Sequence, residues 1–264
     1  MANDRRPEGL TGAPRAGTLA IVIPVFDEGA LFPGFIAKLG QWIPELLASH
    51  RGSLTGCELV IVDDGSRLPL RATDFPLPAS GRQRRGGVHL LRHAINLGQG
   101  AAVQTGIAFA RDSLRCETYV LLDADGQHSP ADIPRLIQPV IDGRADIVFG
   151  SRFLGTDPLN MPVVRRLMLR GAIWLERAIT GLEFTDSHNG FVGFGASTAS
   201  ILDLTQNRMA YATELKQVVA RHQLRFLEVP VEVSYSEATL AKGQRNLNAL
   251  TIVNSLLRGY FFQG

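Results

Sequence analysis

The sequence has few cysteines, no long apolar run and almost no net charge. Its only cysteines, Cys57 and Cys116, make neither a disulfide framework nor a zinc site, and they predict a reducing, cytoplasmic setting. No apolar run reaches the roughly 20 residues that cross a bilayer, and the first residues lack the apolar core of a signal peptide. The formal net charge of +2 indicates neither a nucleic-acid partner nor a strongly acidic one.

The first half of the chain alternates between short apolar runs and helical patterns. The apolar runs predict strands at 19–25, 58–66, 87–93, 118–125 and 145–151. Helical patterns are found at 34–48, 99–113 and 130–142. Runs that are apolar on both faces suit a parallel sheet covered by helices on both sides. The predicted fold class is therefore α/β, with a mostly parallel central sheet flanked by helices.

The pattern changes after Arg152. The second half predicts helices at 162–180 and 213–222, a short strand or hairpin within 184–197, and a strand at 224–235. We expect residues 1–17 to form a disordered leader, 18–246 a single domain, and 247–264 an amphipathic helix. That helix either packs on the domain or lies in a membrane interface, and the sequence leaves both alternatives open.

Polar residues collect where the predicted strands end. In order along the chain they are Pro24, Asp27 and Glu28; Asp63 and Asp64; Asn96 and Gly98; Asp123, Asp125 and Gln127; and Arg152. In an open α/β sheet, ligands bind at the carboxyl ends of the strands. Five successive strand ends with carboxylates, glycines or an arginine therefore predict one binding edge.

The fourth strand end predicts a site for a divalent cation. Asp123 and Asp125 alternate along an extended segment, so both carboxylates are expected to face one ligand. Hard oxygen ligands suit Mg²⁺ or Mn²⁺, which typically take one or two carboxylates together with phosphate oxygens. The Gln127 amide either adds a ligand or contacts the substrate. Asp64 is expected to cap the turn before Ser66, and His128 is expected in the loop that leads to the next helix.

Five stretches of sequence together resemble the family 2 glycosyltransferases, which have the GT-A fold. They are AIVIPVFDE (20–28), VIVDDGS (60–66), NLGQGAAVQTG (96–106), LLDADGQHSP (121–130) and ADIVFGSRF (145–153). Farther along, FTDSHNGFVGF (184–194) and EVPVEVSY (228–235) are similar to the second half of the polyprenyl-phosphate sugar synthases, such as dolichyl-phosphate mannose synthase. The resemblance implies a Rossmann-like nucleotide-sugar half at 18–153 and an acceptor half at 154–246.

The resemblance also implies roles for the residues of the donor side. Asp63 would contact the nucleotide base, in a pocket lined by Pro24, Asp27 and Glu28. Asp123 would contact the ribose or diphosphate of the donor. From the residues themselves, the loop that contains Asn96 and Gly98 is expected to bring a helix N-terminus near phosphate or sugar of the substrate. The metal, Mg²⁺ or Mn²⁺, would be held by Asp125 and Gln127.

On the acceptor side the resemblance implies contacts to phosphate. Arg152 would lie by the diphosphate or the acceptor phosphate, and Asp186 would be the acceptor-side carboxylate. Lys242 and Arg245 would belong to a loop that closes on phosphate. The chain departs from the family pattern in having Asp27 where Asn is usual, Gln99 where Lys is common, and Val192 where Arg is frequent.

The expected function is a metal-dependent, inverting transfer of a sugar from a UDP- or GDP-sugar to a polyprenyl phosphate, for cell-surface glycan synthesis. Such a protein would act on the inner face of the membrane, either peripherally or through a membrane-protein partner. Two alternatives stay open. The acceptor is instead a hydroxyl of a glycan or small molecule, in which case Asp186 is a base rather than an orienting group. Or the chain is a non-catalytic module that binds nucleotide sugars and regulates a partner.

Overall fold

The computed structural model describes residues 17–28, 31–71, 73, 86–154, 171, 177, 181–186, 189–206 and 210–233. Its strands are β1 (Gly17–Val25), β2 (Leu54–Asp63), β3 (Val88–Arg92), β4 (Thr118–Leu121), β5 (Ile147–Ser151), β6 (Val192–Gly195) and β7 (Phe226–Pro230). Its helices are α1 (Leu31–Ser49), α2 (Gln99–Asp112), α3 (Ile133–Ile141), α4 (Ala196–Ile201) and α5 (Ala210–His222). A short 3-10 turn at Pro130–Asp132 leads into α3, with Ser129 as its N-cap.

The seven strands form one sheet in the order β3-β2-β1-β4-β6-β5-β7. All neighbours are parallel except β6, which runs antiparallel to both β4 and β5. The expectation of a mostly parallel α/β sheet is confirmed. The short strand expected within 184–197 is β6, and its place between β4 and β5 depends on long-range pairing that no local sequence pattern contains.

Helices cover both faces of the sheet, as the apolar runs predicted. Successive residues of β1 point to opposite faces, so Leu19, Ile21 and Ile23 join a core with α1 and α3. Ala20 and Val22 join the other core, with α2, α4 and α5. Because β1, β2 and β4 are parallel, their carboxyl ends open on the same edge. The polar strand ends are thereby brought together.

Strand β4 is shorter than the sequence suggested. It ends at Leu121 rather than at 125, and one further bond, from the Leu122 N–H to the Val22 carbonyl, continues the ladder. Asp123 and Asp125 therefore lie in the turn beyond the strand. Gly126 in this turn has a φ of 71°, a conformation that favours glycine and that an extended strand cannot include.

Several expectations fall outside the described residues. They are the leader expected at 1–17, apart from Gly17, which begins β1 and was wrongly included in it, the helix at 247–264, the loop residues Lys242 and Arg245, and the helix at 162–180 apart from 171 and 177. Among the helices that are described, none is both long and apolar enough to span a bilayer.

Candidate active site

The turn after β4 holds the two carboxylates predicted to lie near the metal. Asp125 Oδ1 accepts a 2.9 Å hydrogen bond from the Gln127 backbone N–H, so the turn itself orients the Asp125 carboxylate. Asp123 Oδ1 accepts a 2.8 Å bond from Gln99 Nε2 at the start of α2. The amide at position 99 thus ties the β4 turn to the loop that follows β3.

Negative charge accumulates at this turn. Burial raises the pKa of Asp123 to about 7, the charge of Asp125 adds to the increase, the Gln99 bond opposes it, and Glu28 raises it further. Asp123, Asp125 and Glu28 therefore lie close enough for their charges to interact. A bound cation would relieve this repulsion.

The donor set fits a divalent metal that is completed by a substrate. Within the described residues, no group of three or more His, Cys, Asp or Glu is arranged to hold a metal alone. Magnesium usually takes one or two carboxylates and fills its other positions with water and substrate phosphates. Carboxylate oxygens from Asp125 or Asp123 and the amide oxygen of Gln127 are ligands of the required kind.

Asp64 organises the neighbouring loop. Its carboxylate accepts bonds from the backbone N–H groups of Leu97 (2.9 Å) and Gly98 (2.8 Å). The His93 ring bonds the same carboxylate at 2.7 Å through Nδ1 and reaches the Thr105 hydroxyl at 2.9 Å through Nε2. The ends of β2 and β3 are thus joined to α2 at its N-terminus. Backbone N–H groups at such a position suit an anionic ligand.

The expectation that Asp64 caps its own turn was wrong, since Asp63 does so. Asp63 is fully buried, and its carboxylate accepts bonds from the backbone N–H groups of Ser66 (2.9 Å) and Leu70 (3.2 Å) and from the Arg92 guanidinium. A base contact by Asp63 stays a prediction. The structure shows a carboxylate that already holds the β2 loop together.

Asp27 joins the first two loops of this edge. Its backbone has a φ of 53°, its N–H donates to the Ser66 hydroxyl at 3.0 Å, and its carboxylate accepts bonds from Arg67. Pro24 is buried in β1, while Asn96 is exposed on the loop after β3. All of these positions lie on the edge where the sequence placed them.

A second cluster surrounds Arg152 and Asp186. The Asp186 carboxylate accepts bonds from the Arg152 backbone N–H (3.0 Å), Nε (2.7 Å) and Nη2 (2.6 Å). The Arg152 side chain is 8% exposed and that of Asp186 is fully covered. Burial opposes ionisation of Asp186, but the hydrogen bonds and charge of Arg152 outweigh it and hold the pKa of this carboxyl below its ordinary value.

Two charged side chains that the sequence did not single out hold this cluster in place. Lys216 Nζ donates to the Asp186 carbonyl at 2.8 Å and lies 4.5 Å from the centre of the Phe184 ring. The Glu228 carboxylate accepts bonds from the backbone N–H groups of Thr185 and Asp186. The only available signal was that Lys216 is one of three lysines in a chain rich in arginine.

The segment after this cluster reaches back to the β4 turn. A Cβ atom on Gly190 would lie 3.0 Å from Asp123 Oδ2 and 2.8 Å from the Tyr211 hydroxyl, so only glycine fits without displacement. The next residue, Phe191, packs its ring 4.8 Å from the ring of His128. Burial, followed by the positive charge of Arg152, lowers the pKa of His128 to about 4. This segment therefore brings the two carboxylate clusters close together.

The chain matches the model of a known protein family. The model of the family described as Glycosyl transferase family 2 matches residues 20–199, which include both carboxylate clusters. The chain belongs to glycosyl transferase family 2. It is accordingly an enzyme that transfers a glycosyl group, and the expected membership of this family is confirmed.

Curated relatives of this glycosyltransferase extend over much of its length. It is 31% identical to the UDP-N-acetylglucosamine–dolichyl-phosphate N-acetylglucosaminyltransferase of Methanococcus voltae, over 63% of this chain and 67% of that one. It is 26% identical to the undecaprenyl-phosphate mannosyltransferase of Micrococcus luteus, over 88% of this chain and 90% of that one. By name, both relatives act on polyprenyl phosphates.

A solved structure shares the fold of this glycosyltransferase. The glucosyl-3-phosphoglycerate synthase of Mycobacterium tuberculosis, solved with Mn²⁺, uridine diphosphate and phosphoglyceric acid, superposes with a TM-score of 0.61 at 17% identity. The match covers 91% of this chain and 78% of that one. The GT-A fold expected from the sequence is confirmed.

Proposed function

We propose that this chain transfers a sugar from a UDP- or GDP-sugar to a polyprenyl phosphate, with inversion at the anomeric carbon. The donor would occupy the edge formed by residues 18–153, and the acceptor phosphate would approach Arg152 from the side of residues 154–246. Because a polyprenyl phosphate is presented at a bilayer surface, the enzyme would work there, peripherally or with a membrane partner. Both curated relatives named above support a polyprenyl-phosphate acceptor.

The observation that carries this proposal is the state of Asp186. A hydroxyl acceptor must lose a proton as it attacks, which requires a base with available lone pairs and a suitable pKa. Asp186 is instead fully covered, accepts three bonds from Arg152 and has a lowered pKa. A phosphate is already anionic at neutral pH and needs only to be positioned. The Arg152–Asp186 pair therefore suits an acceptor that requires no deprotonation.

The leaving group is stabilised on the other side of the site. A divalent metal held by Asp125 and Gln127 would neutralise charge on the departing nucleoside diphosphate. The N-terminus of α2, held by Asp64, presents its N–H groups toward the same edge. The acceptor oxygen then attacks the anomeric carbon from the face opposite to the leaving diphosphate, which inverts the centre.

A partition assay tests the proposal. Purified protein, Mn²⁺ or Mg²⁺, radiolabelled UDP- or GDP-sugars and undecaprenyl phosphate are mixed and extracted with organic solvent, and Asp125→Ala serves as the inactive control. We expect one donor to deliver label to the organic phase with wild type and none with the variant. Label that moves only to an added water-soluble glycan would overturn the lipid acceptor in favour of a hydroxyl. Nucleotide binding without any transfer, even with membranes added, would indicate the non-catalytic module.

A further inference from the structure

Two buried nitrogen atoms in the candidate active site have no hydrogen-bond partner. They are Nδ1 of His128 and Nδ2 of Asn189, and across the described residues no other buried side-chain polar atom is left in this state. The two residues are 8% and 7% exposed. Buried polar groups in native proteins are nearly always paired, so an exception requires an explanation. A ligand that supplies the missing partners is one such explanation.

Both nitrogen atoms lie next to the segment that connects the two clusters of the site. The Asn189 Oδ1 atom accepts a 3.1 Å bond from the Phe191 N–H, which holds the amide in place. Gly190 approaches Asp123 on the donor side. Toward the acceptor cluster, the His128 ring packs on Phe191 and lies close enough to Arg152 and Asp186 for their charges to shift its pKa. The segment that carries the two nitrogen atoms therefore lies between the predicted donor and acceptor sides.

We propose that Asn189 and His128 bind hydroxyl groups of the transferred sugar and thereby select which sugar the enzyme accepts. This inference rests on the proposed function, of which it names the sugar-selecting residues. Nδ2 of an amide can only donate, whereas Nδ1 of an imidazole donates or accepts according to its tautomer. A sugar hydroxyl does both, so a pyranose can complement the two nitrogen atoms together.

The chemistry of the pair points to the sugar rather than to either phosphate. Phosphates are recognised by cationic side chains and by arrays of backbone N–H groups, which this site supplies through Arg152 and the N-terminus of α2. Asn189 carries no charge, and an ordinary imidazole is uncharged at pH 8. Neutral buried groups discriminate well between ligands that do or do not offer a hydroxyl at the right place, because a ligand without it leaves them unpaired.

Two substitutions remove the unpaired nitrogen atoms and keep the contacts with Phe191. Asn189→Ser leaves an oxygen that can still accept from the Phe191 N–H, and His128→Phe keeps an aromatic ring against Phe191. His89→Phe is the matched control, since His89 lies in β3 and bonds Glu58 at 2.9 Å, away from this segment. Affinities are measured by calorimetry at pH 8 with Mn²⁺, for UDP and GDP and for UDP-glucose, UDP-N-acetylglucosamine and GDP-mannose.

We expect each active-site variant to bind the nucleoside diphosphate as wild type does, within about twofold. Its affinity for the preferred nucleotide sugar should fall about 5- to 10-fold, the effect of one neutral hydrogen bond. The ratio of its affinities for the preferred sugar and for the other sugars should also decrease. His89→Phe should change neither affinity. Unchanged affinity for the nucleotide sugar, or an equal loss for the nucleoside diphosphate, would overturn the assignment.

These affinities and the partition assay, taken together, separate this inference from the proposed function. Wild-type binding of a nucleotide sugar without transfer of label to lipid would contradict the acceptor, while the loss of sugar affinity in the variants would still support the sugar site. Transfer to lipid with unchanged sugar preference in both variants would support the function and refute the sugar site. Failure of wild type to bind any nucleotide sugar would refute both.

Discussion

The Asp186 carboxylate holds the Arg152 guanidinium by two of its nitrogen atoms, at 2.7 and 2.6 Å, while the backbone N–H of Arg152 bonds the same carboxylate at 3.0 Å. The pair joins the end of β5 to the chain that leads into β6. Both side chains are almost completely buried. Removing one partner from such a pair costs more than removing both, because a single charge is then left uncompensated.

Asp186→Asn should therefore destabilise the protein by about 3–5 kcal/mol. The double variant Asp186→Asn with Arg152→Met should recover at least about half of that loss, since neither charge then remains. Chemical denaturation of the two single variants and the double variant measures the coupling between the two side chains. Additive losses in the double variant would mean that the two charges do not stabilise one another.

The same substitution distinguishes an orienting carboxylate from a base. If Asp186 only positions Arg152, Asp186→Asn should lower transfer to undecaprenyl phosphate by a similar factor at every pH from 6 to 9. Because the Arg152 contacts hold the pKa of Asp186 below its ordinary value, wild type should show no loss of activity in this range from protonation of Asp186. A variant whose defect disappears as the pH rises, when an acceptor hydroxyl ionises more readily, would identify Asp186 as the base.

Asp123→Asn should make the metal-free protein more stable at pH 8 while it lowers transferase activity. Burial and the charge of Asp125 raise the pKa of Asp123 to about 7, whereas an unfolded chain ionises aspartate near pH 4. Between these values the folded state binds a proton that the unfolded state has lost, so the free energy of unfolding falls as pH rises from about 4 to about 7. Asparagine removes this penalty, which we expect to be on the order of 1 kcal/mol or more.

Urea unfolding in the presence of EDTA at pH 4.5 and pH 8 measures this effect. The increase in the free energy of unfolding of Asp123→Asn over wild type should be present at pH 8 and nearly absent at pH 4.5. Asp112→Asn is the control, because Asp112 lies on the surface beside Arg111 and should show no such gain. A lower stability of Asp123→Asn at pH 8 would mean that the ionised carboxylate is stabilising in the metal-free protein.

Gly100→Ala should destabilise the protein and weaken donor binding together. A Cβ atom at this position would overlap the Gln206 carbonyl oxygen, a backbone atom that cannot rotate away, so a cost of about 1–3 kcal/mol is expected. The shift would move the N-terminus of α2, and the affinity for the nucleoside diphosphate should fall.

Gly34→Ala in α1 is the matched control, since nothing lies within 4 Å of its added Cβ. A glycine replaced by alanine inside a helix is expected to add about 0.5–1 kcal/mol of stability. Thermal unfolding and calorimetric titration of both variants test the comparison. Equal changes in unfolding temperature and in donor affinity for the two variants would show that the close approach at Gly100 is unimportant.

The sequence alone determined the class of fold and the edge that carries the site. Runs apolar on both faces predict buried parallel strands because parallel sheets are covered on both sides, and β1 to β5 lie close to the predicted ranges. The polar residues after these strands share an edge because parallel strands end on the same side. These conclusions require only local patterns and one topological rule.

Which carboxylate serves which purpose was decided by the tertiary structure. In the sequence, Asp63 and Asp64 are adjacent and chemically identical, yet Asp63 turns inward to Ser66 and Arg92, and Asp64 reaches across to Leu97 and Gly98. Apart from the bond to Ser66, these contacts join residues that are 29–34 positions apart in the chain. Local propensity contains no information about them.

The acceptor cluster illustrates the same limit. Arg152 was expected by the diphosphate or the acceptor phosphate, and Asp186 as the acceptor-side carboxylate. Their direct pairing was not predicted. It arises, with the support from Lys216 and Glu228, because β6 inserts between β4 and β5 and β7 adds beside β5. Asn189 gave no sequence signal, since an amide becomes informative only when burial leaves it without a partner. Sequence patterns report what each segment prefers, whereas burial and pairing depend on which distant segments pack together.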